Sequence, residues 1–248
     1  MINVVGANKS FGSNHVLKNV SLDFEKGKTN LIIGKSGSGK TVLLKSIVAL
    51  YPLDSGSVFY GDTDITKLDS KKLKNLRKDI GMLFQGGALF DSKTVLENIM
   101  FPMDMFSQMS NKEKLKRAQF CLDRVNLVGA DNLYPSEISG GMNKRVAIAR
   151  AIALNPSFLF CDEPNSGLDP TTALLIDNLI SEITKEYQIT TIINTHDMNS
   201  VINIGDNVTF IDGGEVAWRG DKYNIFDSKN QHLQDFISPA MLIRSINR

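Results

Sequence analysis

The stretch GKSGSGKT, residues 34–41, constrains this chain more than any other. It satisfies G-x-x-x-x-G-K-[ST] in full, and it lies between an apolar run, TNLII, and a helical pattern, KTVLLKSIVAL. Glycines at 34, 37 and 39 let the backbone curl until successive N–H groups converge on one anion. The helix expected from about Lys40 adds the positive end of its dipole. Lys40 then reaches terminal phosphates, and the Thr41 hydroxyl is placed to ligate Mg²⁺. A strand, this loop and a helix in that order predict an α/β domain that binds a nucleotide such as ATP.

Further acidic and polar residues fit that prediction. FLFCDEP (158–164) is a buried-strand pattern ending in two carboxylates, with Asp162 placed for Mg²⁺ and Glu163 for orienting or deprotonating a water. ITTIINTH (189–196) is another buried strand, and it delivers His196 to the edge where ligands of open α/β sheets collect. Gln85, in GMLFQGGALF, follows an apolar run; on its own it reads as a turn. Phe11 reads either as a base-stacking aromatic or as core. Ser139-Gly140-Gly141 at the start of a helix makes a second phosphate cradle. One nucleotide seldom needs two cradles from one subunit, so the second is expected to face a neighbour's ATP, and a dimer follows. Met142, directly after that turn, is out of keeping with an anion site.

The rest of the chain organises around these motifs. Partial alternation from Val16 to Phe24 and in SGSVFYGDTDI (55–65) predicts strands, and KTVLLKSIVAL a helix ending before Pro52. Ser110 and Glu113 form a capping box, with Leu115, Ala118, Leu122 and Val125 on one helical face. A further helix should run from about Gly141 to Asn155-Pro156, and Asp169 with Pro170 starts another. Strands alternating with helices indicate a parallel sheet covered on both faces, interrupted by a helical insertion at about 92–150. Charge is nearly balanced, 28 basic against 27 acidic residues, which gives no footprint for nucleic acid. Cys121 and Cys161, without CxxC spacing, read as reduced core thiols. The start, MINVVGANKSFG, does not read as a signal peptide, and no apolar run of membrane-spanning length is present.

Taken in order, GKSGSGKT, Gln85, ISGGM (138–142), FLFCDEP, SGLDP (166–170) and His196 resemble the Walker A, Q-loop, signature, Walker B, D-loop and H-loop of ATP-binding cassette (ABC) transporter ATPases. The resemblance implies a P-loop NTPase core, RecA-like, with an N-terminal antiparallel β subdomain, over residues 1–220, and a helical extension at 221–248. It implies a head-to-tail homodimer holding two ATPs with Mg²⁺. The Walker A residues Gly34, Lys35, Ser36, Gly37, Ser38, Gly39, Lys40 and Thr41 would face the Ser139, Gly140 and Gly141 of the other subunit across each ATP. Glu163 would be the catalytic base, Asp162 with Thr41 and Gln85 would serve Mg²⁺, His196 would contact the γ-phosphate, and Phe11 would stack on adenine. Gln85 would link the nucleotide to an integral membrane permease, placing the chain peripherally on the cytoplasmic side of the inner membrane.

Two stretches narrow the resemblance. SGGM followed by KRVAIARAIAL, with MLFQGGALFDSKTVLENI, is similar to the branch serving Mla-type and Mce-associated phospholipid transporters. That branch would bring in a small STAS-domain protein and a Mce-domain lipid-binding protein. Ile138 and Asn165 depart from the commoner leucine and threonine without removing a catalytic group. An importer ATPase for an amino acid or metal chelate remains an alternative, as does a soluble ABC ATPase without a permease. The methionine-rich IMFPMDMFSQM favours a docked partner helix over the last of these.

Overall fold

A computed structural model describes the backbone of residues 1–246 and the side chains of residues 1–238. A central sheet has the strand order β10-β9-β3-β8-β7-β6. β3 (Thr29–Ile33), β6 (Ile80–Leu83), β7 (Phe158–Asp162), β8 (Thr190–Thr195) and β9 (Asn207–Asp212) run parallel, and β10 (Glu215–Gly220) is antiparallel. A second, antiparallel sheet, β2-β1-β4-β5, joins β1 (Ile2–Phe11), β2 (Asn14–Phe24), β4 (Ser55–Tyr60) and β5 (Thr63–Asp64). This is an α/β core with a separate antiparallel sheet, the fold class expected from the sequence.

β3 shows why TNLII carries no polar alternation. Leu31 and Ile33 enter the core on one face of the sheet, and Ile32 enters the core on the other. A strand buried on both faces reads as a continuous apolar run. One core joins the sheet to the inserted helices; the other joins it to the antiparallel subdomain and α1 (Lys40–Ile47).

The insertion holds α3 (Val95–Phe106), α4 (Asn111–Arg124) and α5 (Gly140–Ala151). Ser110 and Glu113 form the expected capping box on α4, and Thr94 with Glu97 makes another on α3. Ala118, Leu122 and Val125 are buried as expected, whereas Leu115 is exposed; Cys121 takes its place on the buried face. α1 stops at Ile47, short of Leu50, because Ala49 turns left-handed at φ 54°. α5 likewise ends at Ala151, ahead of Asn155, which has φ 53°. β1, β6, β9 and β10 were not distinguished in the sequence. Both cysteines are buried and free.

α6 (Pro170–Glu186) and α7 (Met198–Ile204) are followed by α8 (Gln231–Ile246). The described part of the tail packs on its own chain: Ile225, Leu233 and Ile237 are fully buried in the main core, and Phe236 lies 5.4 Å from Phe210 on β9. Truncation after Gly220 should therefore destabilise the single domain itself. Losing three buried aliphatic side chains predicts a melting temperature lower on the order of 10 °C by calorimetry. An unchanged melting temperature would remove the tail from the core.

Candidate functional site

Strand order brings the motifs together. β3, β8 and β7 are neighbours, with Ile33 opposite Thr195 and Asn194 opposite Asp162. The residues that follow these strands, Gly34, His196 and Glu163, therefore emerge side by side at the C-terminal edge of the sheet.

The loop from Gly34 to Gly39 is a backbone conformation that glycine permits. Gly39 has φ 105°, and a Cβ there would meet the Val16 carbonyl oxygen at 3.0 Å. Gly34 is tighter: its Cβ would meet the Ile211 carbonyl oxygen at 2.3 Å. Lys40 is 5 % exposed, and its Nζ donates to the carbonyls of Gly34 at 2.8 Å and Lys35 at 3.0 Å. Burial lowers its pKa, and the charges of Glu163 and Asp162 oppose that shift. Ser38 Oγ is buried without a hydrogen-bond partner.

Asp162 is buried. Its Oδ1 accepts from Thr41 Oγ1 at 3.1 Å and from Asn194 Nδ2 at 3.1 Å. Glu163 has φ 47°, a left-handed turn uncommon for such a residue. Its backbone N–H donates to the Asn194 carbonyl at 2.9 Å. Its side chain lies 3.1 Å from His196 Nδ1 and accepts from Gln85 Nε2 at 3.1 Å. All of the acidic and polar residues singled out here thus converge, except those of the second cradle.

Phe11 is not core. It is 45 % exposed, edge-on to Tyr51 at 5.5 Å with Lys9 Nζ 5.4 Å from its ring centre. Its strand partner Asn14 is two residues from Val16, which borders the phosphate loop.

Ser139 is the N-cap of α5, accepting from the Met142 N–H at 3.2 Å. Ser139, Gly140 and Gly141 border a different cleft, lined also by Gly167, Leu168 and Asp169. The Met142 side chain is half-buried and packs against the core that joins the sheet to the inserted helices. An apolar residue after this turn thus has a packing role, and the Ser139 cap uses only its backbone N–H.

Residues that motif reading passed over also shape the site. Lys144 Nζ donates to the Gln85 carbonyl. Arg150 donates to the carbonyls of Gly87 at 2.6 Å and Ala88 at 2.7 Å. These cations tie α5 to the Gln85 loop. Asn194 was legible as a polar residue inside an apolar strand.

A family model, ABC transporter, matches residues 17–166. The chain belongs to the ABC transporter family. It is the ATP-hydrolysing subunit of such a transporter. It is 40 % identical, over 98 % of its length and 75 % of the relative's, to the methionine import ATP-binding protein MetN of Clostridioides difficile (strain 630). It is 35 % identical, over 96 % of its length and 68 % of the relative's, to the probable ribonucleotide transport ATP-binding protein mkl of Mycobacterium leprae (strain TN). Among solved structures, it resembles a dimeric ATP-binding cassette, MJ0796, bound to ADP and Pi. The TM-score is 0.82 at 33 % identity, over 90 % of this chain and 99 % of that one. Among the described residues, no helix is long and apolar enough to cross a membrane.

Proposed function

We propose that two copies of this chain close head to tail on two ATPs and drive an importer of a small solute of the amino-acid kind through a membrane permease. The observation that carries the catalytic part is Glu163. It stands within 3.1 Å of both His196 and Gln85, next to the Asp162–Thr41 pair. Glu163 takes the proton of the attacking water, and His196 orients it and faces the γ-phosphate. Lys40 turns from the loop carbonyls to the β and γ phosphates, and Phe11 stacks on adenine.

The donor set suits Mg²⁺. The Thr41 hydroxyl and Asp162 carboxylate are hard oxygens within one hydrogen bond of each other. No group of three or more His, Cys, Asp or Glu able to hold a metal occurs among the described residues. A cation bound largely by phosphate and water, the habit of Mg²⁺, needs no more than these two, with the Gln85 amide as a further oxygen. Thr41 and Asp162 would hold Mg²⁺, which would supply positive charge against that developing on the phosphates.

Docking to a permease is supported by the surface beyond Gln85. Met105 is 54 % exposed, Phe90 39 % and Met109 37 %, and adaptable apolar side chains of this kind suit a partner helix. The chain would then lie peripherally on the cytoplasmic face of the inner membrane. The amino-acid cargo is supported by the methionine importer relative, which aligns over nearly the whole chain. A phospholipid cargo, with STAS-domain and Mce-domain partners, is the second reading, favoured by Met142 in the signature turn. Co-expression with the neighbouring permease and reconstitution in liposomes decides between them. Stimulation of ATPase activity by methionine or another amino acid supports the first reading. ATP-dependent transfer of labelled phospholipid without it would replace the first reading with the second.

The trans-acting cradle has its own test. Met142→Gln should leave turnover within a few-fold, since a neutral hydrogen bond is worth about 1 kcal/mol. Ser139→Ala should lower turnover more, without changing ATP affinity of the monomer. Gly141 is unsuited to the purpose, because a Cβ there would lie 2.6 Å from Thr172 Cγ2 of the same chain. If Met142→Gln alone abolishes turnover, the cradle does not work through Ser139 and backbone N–H groups.

A further inference from the structure

α6 buries a carboxylate on its apolar face. Asp177 is 1 % exposed, beside Ile176 and Ile180 at 1 % and 0 %. A carboxylate in such a setting is costly unless it is hydrogen-bonded. It is met by Asn165, whose Nδ2 donates to Asp177 Oδ1 at 2.7 Å and to Ser200 Oγ at 3.0 Å. Asn165 Oδ1 is buried without a partner, so the amide is oriented by its two donations into this cluster.

The three residues come from the segments that carry the chemistry. Asn165 follows Glu163 by two positions, and Ser200 lies on α7 just beyond His196. Glu163 is tied to the neighbouring strand by its N–H to the Asn194 carbonyl. Beyond it the chain leaves the sheet in a left-handed turn; Pro164 and Asn165 are then buried, and Asn165 is held there by side-chain hydrogen bonds.

We propose that Asp177 is a positioning residue: with Ser200 it holds Asn165, and so fixes the spacing between Glu163 and His196. The proposal rests on the reading of those two residues as base and γ-phosphate contact. Without an acceptor at position 177, the Asn165 amide loses its shorter bond and the loop after Glu163 drifts against α7. A displacement of about 1 Å at reacting groups costs up to about a hundredfold in rate.

Burial lifts the Asp177 pKa to about 6, opposed by the Asn165 and Ser200 hydrogen bonds and assisted by Asp197 at the N-cap of α7. The other titratable group coupled to it is the buried Cys161 thiol on β7. An acid whose folded-state pKa is raised makes the fold less stable as pH climbs from its ordinary 3.8 to about 6, and the cost is complete above that. Asp177→Asn removes the charge and keeps an acceptor for Asn165. It should melt above wild-type at pH 7.5, lose that advantage near pH 4, and keep turnover within about threefold.

Asp177→Ala is the decisive variant, assayed in the full-length chain. Its kcat should fall about tenfold or more, with ATP affinity of the monomer within about twofold. Asn165→Ala should do the same, and the double variant should be no worse than either single one. Wild-type kcat in Asp177→Ala, or a double variant whose loss is the product of the two, overturns the proposal. So does equal loss of kcat and nucleotide affinity, the mark of a general structural defect. If Asp177→Ala does not fold, Asn165→Ala and Ser200→Ala carry the same comparison. Glu163→Gln is the control: if it hydrolyses ATP normally the base reading fails, and if it is slow while Asp177→Ala is normal only the positioning role fails.

Discussion

Glu163→Gln is expected to bind MgATP and to hydrolyse it at least about a hundredfold more slowly than wild-type. The amide has the size of the carboxylate and can still meet His196 and Gln85, both 3.1 Å from it in the native site. What it cannot do is take a proton from water. ATP should therefore persist between the subunits, and the variant should elute as a dimer on gel filtration with ATP and as a monomer without it. Single-turnover kinetics separate this from weak binding. Turnover near that of wild-type would take Glu163 out of the base role and leave the Asp162–Thr41 pair without a partner for the water.

Lys40→Ala acts earlier in the cycle. Lys40 is almost fully buried, and its ammonium is balanced in the native site by the Gly34 and Lys35 carbonyls and by the charges of Asp162 and Glu163. Removing it deletes the ammonium proposed to meet phosphate and leaves two loop carbonyls without their donor. A hydrogen bond to a charged group contributes about 1.5–3 kcal/mol, so ATP affinity should fall by roughly 10- to 100-fold. Titration calorimetry with the monomer reads this directly, apart from turnover. Affinity within about twofold of wild-type would mean that the loop backbone alone holds the phosphates.

The contrast between these variants follows the sequence motifs closely, because each motif states a local backbone requirement. A left-handed turn such as Gly39 and a lysine at the first turn of a helix are encoded within a few residues, and so were legible. The same holds for the Ser110–Glu113 capping box, which forms as expected. Leu115 failed for the opposite reason. Its spacing suits the buried face of α4, but which side of a helix is covered depends on what packs there, and Cys121 lies against the core instead. The helices end earlier than expected, α1 at Ile47 and α5 at Ala151; at α1 the reason is the left-handed Ala49, a residue whose type leaves little trace of that turn.

Sequence by itself determined the phosphate loop, the strand ends bearing Asp162, Glu163 and His196, and the family to which they belong. These depend on residue type at fixed separations, and hydrophobic runs place them on buried strands. Tertiary structure alone decided which of them meet. The order β3-β8-β7 sets Gly34, His196 and Glu163 side by side, although β7 and β8 lie far along the chain from β3. It also packed Met142 against the core, turned Phe11 out to solvent, and set Asp177 against Asn165 and Ser200. Strand order and facing are settled by packing between distant segments, whose energy is summed over many weak contacts that no short stretch contains.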